Sequence, residues 1–220
     1  MILDTLKKDF LLFYRNKTSI LLPLLFFFLI VSIFPLVLGP DVNLLMKIMP
    51  GIIWIISILT TLLSSHNFFY DDLDSGILDL YLTSKVPLSS MFFSKIISCW
   101  VVTFVPLLIF LPIISIMYSL DAFVLMILLI TLFVGTPTLI GIGLFGSLLI
   151  ISLPRNNILL PIIILPFYIP VLVFAADSIS IASSMHIISP QLYILVALLV
   201  LALAFLPYLM SLTLKITINN

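Results

Sequence analysis

The sequence predicts an all-α integral membrane protein of six transmembrane helices. Of its 220 residues, 63% are hydrophobic and only 8% are charged. The apolar residues collect into six long runs, and nearly every Lys and Arg falls on one side of them. Soluble domains carry nearer ~25% charged residues. A water-soluble fold of this size has too little interior to hide so much apolar surface, whereas in a bilayer the solvent is itself apolar.

The first run, Ser19–Leu38, follows Asp4, Lys7, Lys8, Asp9, Arg15 and Lys17. A cleavable signal has a shorter apolar core, about 7–15 residues, closed by small residues. This run lacks that ending and reads as a retained first helix. The others are Leu44–Ser65, Ile96–Leu120, Ala122–Leu153, Ile158–Ala176 and Leu192–Leu214. A spanning helix needs about 20 mostly apolar residues. A charge at its centre costs roughly 2.5–3.5 kcal/mol on insertion scales, and the middle of every run is free of charge. Lys47 stands at the start of the second run, where its stem reaches the interface. The fourth run is too long for a core of about 30 Å. Gly135 and Pro137 are expected to bend it and leave part at the outer surface.

Orientation follows from the basic residues. With the N-terminus in the cytoplasm, Lys7, Lys8, Arg15, Lys17, Lys85, Lys95, Arg155 and Lys215 lie inside and only Lys47 lies outside. Six spans then put both termini in the cytoplasm. Residues 1–220 form one transmembrane domain with no evident internal repeat. Residues 1–18 read as an interfacial helix: Ile2, Leu3, Leu6, Phe10, Phe13 and Tyr14 fall on one face, opposite Asp4, Lys7, Lys8 and Arg15, although Leu11 and Leu12 interrupt the pattern. The one long connection, residues 66–95, is cytoplasmic.

Several function classes drop out. A formal net charge of zero gives no basis for binding nucleic acid. Cys99 is the lone cysteine, and no Cys/His spacing suggests a zinc site. Gly141-Ile-Gly143-Leu-Phe-Gly146 satisfies the dinucleotide fingerprint as text, but that motif needs a preceding strand and here lies inside a span. It reads as small residues at a helix contact. Ser147 stands where a phosphate-binding loop requires Lys, and the chain has no Walker A motif. It therefore carries no ATP-hydrolysing chemistry of its own. No acid or histidine lies at mid-membrane, where ion-coupled carriers place them, so the energy for any transport has to come from a partner. Prolines are dense in the runs, Pro166 and Pro170 among them, and each removes a backbone donor.

Within the connection, Asp71, Asp72, Asp74 and Asp79 interleave with Phe69, Leu73, Ile77 and Leu80. That spacing describes one amphipathic helix with an acidic face, broken after Thr83 by Pro87. It is compatible with a solvated interfacial helix, with a docking element for a cytoplasmic partner, or with acids holding Mg²⁺ for a substrate pyrophosphate. His66 and His186 are each compatible with a haem or metal ligand or with a plain surface histidine. Trp54 and Trp100 read as packing or interfacial residues.

Taken in order, Phe34-Pro-Leu-Val-Leu-Gly-Pro40, Pro50-Gly-Ile-Ile-Trp54, Asp71-Asp72-Leu-Asp-Ser-Gly76, Gly135-Thr-Pro-Thr-Leu139, Pro166 through Ala175 and Ser184-Met-His186 resemble the haem exporter protein B family. The resemblance implies a type-2 ABC exporter permease without a bound cofactor. It would pair with a separate ATPase as two permeases and two ATPases, beside a haem-handling membrane subunit and a very small one. In that family the ATPase docks between the second and third spans, which here means Asp71, Asp72, Asp74, Gly76 and Asp79. Many relatives have Glu and Arg around this helix, where this chain has Asp and Tyr70. The function implied is cytochrome c maturation, in which ATP hydrolysis drives either haem export or release of a haem-loaded periplasmic chaperone. The membrane implied is the bacterial inner membrane, or the mitochondrial one, since some relatives are encoded there. The competing readings are export of a lipid or drug by the same fold, a Mg²⁺-dependent membrane enzyme using Asp71–Asp79, and a scaffold.

Overall fold

The computed structural model describes residues 17–39, 42–74, 76–83, 86–151 and 159–219. Among them are seven helices: α1 (Lys17–Leu38), α2 (Val42–Asp74), α3 (Ile77–Thr83), α4 (Leu88–Met117), α5 (Ala122–Leu149), α6 (Leu159–Met185) and α7 (Gln191–Asn219). Six are long, α3 is short, and the described residues contain no strand. Five are long and apolar enough to cross a membrane, and α1 adds the shorter apolar stretch Leu21–Phe34. The chain is thus a multi-pass membrane protein. The interfacial helix expected over residues 1–18 lies outside the described residues, except for its last two, which begin α1.

Several helices run past the charges that bounded the apolar runs. Helix α2 continues nine residues beyond Ser65 to Asp74, α4 begins at Leu88 rather than Ile96, and α6 continues through Asp177 to Met185. The connection expected over residues 66–95 is therefore mostly helix. The physical reason is that a hydropathy run stops at a charge, whereas a helix stops only where its backbone bonding does. Helix α5 runs unbroken through Gly135 and Pro137, and both are buried in the bundle. Its start is fixed by Asp121, whose carboxylate accepts from the Phe123 N–H at 3.0 Å.

Helix α5 is the centre of the bundle, in contact with α2, α4, α6 and α7, while α1 packs on α2 and α4. Its composition explains the position. A Cβ added at Gly135 would lie 2.4 Å from the Trp54 ring of α2. One at Gly141 would lie 2.8 Å from Leu206 of α7. One at Gly143 would lie 2.2 Å from the Ser65 hydroxyl and 2.7 Å from that of Tyr168. One at Gly146 would lie 2.4 Å from Ile164 of α6. Lipid tails are as apolar as leucine, so helices in a bilayer are held by close packing rather than by escape from water. Missing side chains on α5 permit that approach. Pro166 and Pro170 sit on the exposed side of α6.

Gly143→Ala is expected to destabilise the purified protein by about 1–3 kcal/mol, the usual range for overpacking. Gly51→Ala, where an added Cβ meets nothing within 4 Å, is expected to be neutral or to stabilise by up to about 1 kcal/mol. Unfolding in mixed micelles titrated with sodium dodecyl sulfate measures both.

Candidate functional site

The acidic segment lies at the end of the bundle where α2 and α5 end and α6 begins. Its backbone is not the single amphipathic helix expected over Phe69–Leu80. Helix α2 ends at Asp74, Gly76 turns the chain with φ +68°, and α3 starts at Ile77. A Cβ at Gly76 would meet nothing within 4 Å. Conformation, not space, calls for glycine there, because side chains with a Cβ rarely adopt that backbone state. Asp71, Asp72 and Asp74 fall in the last turn of α2, and Asp79 falls in α3. The side chains of Asp71, Asp74 and Asp79 lie outside the described residues.

Asp72 is buried within the bundle, 4% exposed. Lys95, in the second turn of α4, donates from Nζ to Asp72 Oδ2 and is itself 3% exposed. Its ammonium sits 5.8 Å from the centre of the Phe69 ring. Phe92 packs edge-on against both Phe69 and Tyr81, with ring centres 6.0 and 6.3 Å away. Leu78 and Tyr81 are buried, and Tyr81 anchors α3 against Phe92 of α4. Sequence reasoning placed Lys95 in the cytoplasmic connection. In the structure it is an inward-facing residue of α4, and only its position within a helical apolar stretch hinted at that.

Further in, polar side chains gather where α2, α5 and α6 meet. The Tyr168 hydroxyl donates to the Leu139 carbonyl at 3.0 Å. The Ser147 hydroxyl lies 2.7 Å from the Ser65 carbonyl and 3.0 Å from that of Gly143. Trp100 of α4 donates from its indole N–H to the Thr136 hydroxyl at 2.8 Å, and Thr136 donates to Leu132 O at 2.6 Å. These contacts satisfy hydroxyls inside a bundle that has no solvent to do so. The glycine hexad Gly141–Gly146 lies wholly within α5, with no strand before it, so the geometry of a dinucleotide loop is absent from it.

At the opposite end, His186 follows α6 with φ +53° and donates its backbone N–H to Ala182 O at 3.1 Å. Its ring stacks on Phe123 with centres 5.7 Å apart, and Nε2 lies 3.5 Å from Asp121 Oδ2. The side chain is exposed. Nearby, the buried Tyr118 hydroxyl donates to Val31 O and ties α4 to α1. A groove of about 790 Å³ opens between α1, α2 and α6, lined by carbon-rich residues including Leu21, Leu25, Leu59, Leu63 and Leu160.

The family model described as "CcmB protein" matches residues 1–217. The chain is 35% identical to "Heme exporter protein B" of Haemophilus influenzae over 218 residues, 99% of each chain. It is 37% identical to the protein of the same name in Escherichia coli K12, over 94% of each chain. With that of Pseudomonas aeruginosa the identity is 32%, over 98% of this chain and 96% of the other.

Removing the Tyr168 hydroxyl by Tyr168→Phe is expected to cost about 0.6–1.7 kcal/mol, the range for hydrogen bonds between membrane helices. Unfolding followed by tryptophan fluorescence measures it, since Trp54 and Trp100 are both buried in the bundle.

Proposed function

The chain belongs to the CcmB protein family, and from that premise we propose that it is the membrane permease subunit of an ABC complex for cytochrome c maturation. The carrying observation is likeness to "Heme exporter protein B" over nearly the whole length of both chains. Haem is then the cargo of the complex rather than a resident cofactor. ATP is hydrolysed by a partner subunit, for which this chain supplies no nucleotide motif. Two copies would pair with two ATPases, alongside the haem-handling and small membrane subunits of the complex.

The end carrying the α2–α3 turn is proposed to be cytoplasmic, in the inner membrane of a bacterium or a mitochondrion. Support comes from charge: Lys17 begins α1 and Lys215 lies in the last turns of α7, both at that end, and Lys47 stands near the other end in α2. The ATPase would dock on the segment that includes Asp71, Asp74, Gly76 and Asp79. Gly76 supports this reading by forming a turn that presents α3 as a separate short element. What docking would transmit is a push on helix ends; the site offers shape and charge, not a reacting group.

The test is complementation of a bacterium lacking its own protein of this family, with a gel stained for covalently bound haem. A chimera carrying the host's residues 66–87 runs beside it, because the ATPase contact is expected to be species-matched. Restored c-type cytochromes are the expected result. Asp79→Lys is then expected to lower both cytochrome content and co-purified ATPase by about tenfold, the scale of a lost interface charge contact. Normal accumulation of both proteins in the membrane, with cytochromes restored by neither, would point to another exported substrate.

A further inference from the structure

The Lys95–Asp72 pair joins two helices whose chain connection runs through Gly76, α3 and the link at Val86–Pro87. It lies deep, with both side chains 5% exposed or less and the Lys95 ammonium 5.8 Å from the centre of the Phe69 ring. An apolar pair of the same volume is often as stable as a buried ion pair, or more so. Stability alone therefore does not account for charges here. An ion pair differs from an apolar contact in fixing a separation and a direction, while apolar side chains slide past one another. Breaking such a pair by removing one partner is strongly destabilising, which loosens the segment from α4.

We propose that Lys95–Asp72 is a strut that holds the α2–α3 element to α4, and that Asp72 is a positioning residue, not part of the surface an ATPase touches. The proposal rests on the docking reading above and sharpens it. A displacement of α3 reaches α4 through the side chain of Lys95, about 10 Å along the helix from Leu88 at 1.5 Å per residue. It does not have to pass along the Thr83–Leu88 link. Asp72 and Asp79 thereby have separable roles: one carries force inside the permease and the other meets the partner.

The experiment compares Lys95→Met, Lys95→Arg, Asp72→Asn and Asp79→Lys in the complete complex, reading covalent cytochrome haem and the ATPase that co-purifies. Lys95→Met is expected to keep ATPase within about twofold of wild type while cytochrome haem falls about tenfold or more. Lys95→Arg, which keeps the charge, is expected to restore maturation. Asp79→Lys is expected to release the ATPase. Normal maturation in Lys95→Met overturns the strut, and so does ATPase loss as complete as in Asp79→Lys. If Lys95→Met fails to accumulate, Asp72→Asn carries the same readouts with the same expected pattern.

A second measurement needs no partner and separates the strut from the docking reading. In lipid nanodiscs, proteinase K cleavage between Thr83 and Leu88 is expected to be about tenfold faster in Lys95→Met than in wild type and unchanged in Lys95→Arg. Equal rates overturn the strut even if the ATPase docks as proposed. A wild-type protein that captures no ATPase overturns the docking reading, and the cleavage rates still decide the strut.

Discussion

Close approach of four helices to α5 is the constraint on which the bundle depends. In a bilayer, apolar surface gains little by leaving lipid for protein, so association rests on packing and on hydrogen bonds that lipid cannot supply. Glycine on several sides of α5 serves both needs. At Gly135 the absent side chain makes room for the Trp54 ring, and at Gly143 it makes room for two hydroxyls. The second case matters more, because a polar group brought into the bundle has to find a partner there. Tyr168 reaches the Leu139 carbonyl across α5 because Gly143, one helical turn further on, holds no side chain in its way.

That architecture was legible in the sequence at the level of helices. Apolar runs, the positive-inside bias and the glycine hexad all describe what a segment is, and each depends on residues near one another in the chain. Ends were less legible, for one physical reason. Lys95 and Asp177 each closed an apolar run, yet helices α4 and α6 pass through both. Asp177 is exposed near the end of its helix, and Lys95 is neutralised by Asp72. A scale that charges full cost for every ionised group cannot see a partner 23 residues away.

The candidate site shows the same division. The sequence located the acidic segment between the second and third spans but treated its four acids alike. Their hydrophobic spacing described one continuous helix, and Gly76 divides it in two. Glycine inside an apolar-periodic stretch was the available signal, since its left-handed state ends a helix at little cost. Asp72 then separates from the group because it points inward to Lys95, and no periodicity in a single segment predicts a contact with another helix. His186 likewise gave no sign of its ring partner: Phe123 comes to it from the first turn of α5 and Asp121 from the cap of that helix.

The two ends of the bundle are thus built by different means. At the His186 end the joints are a stacked ring, a buried Tyr118 hydroxyl on a carbonyl of α1 and an exposed His–Asp contact. At the opposite end an enclosed charge pair joins α2 to α4, and the Tyr81–Phe92 ring contact joins the short α3 to α4. Weak exposed contacts can break and re-form in water at small cost. A buried pair is costly to break, which couples the elements it joins. On the docking proposed above, the enclosed joint lies at the end where the partner would act.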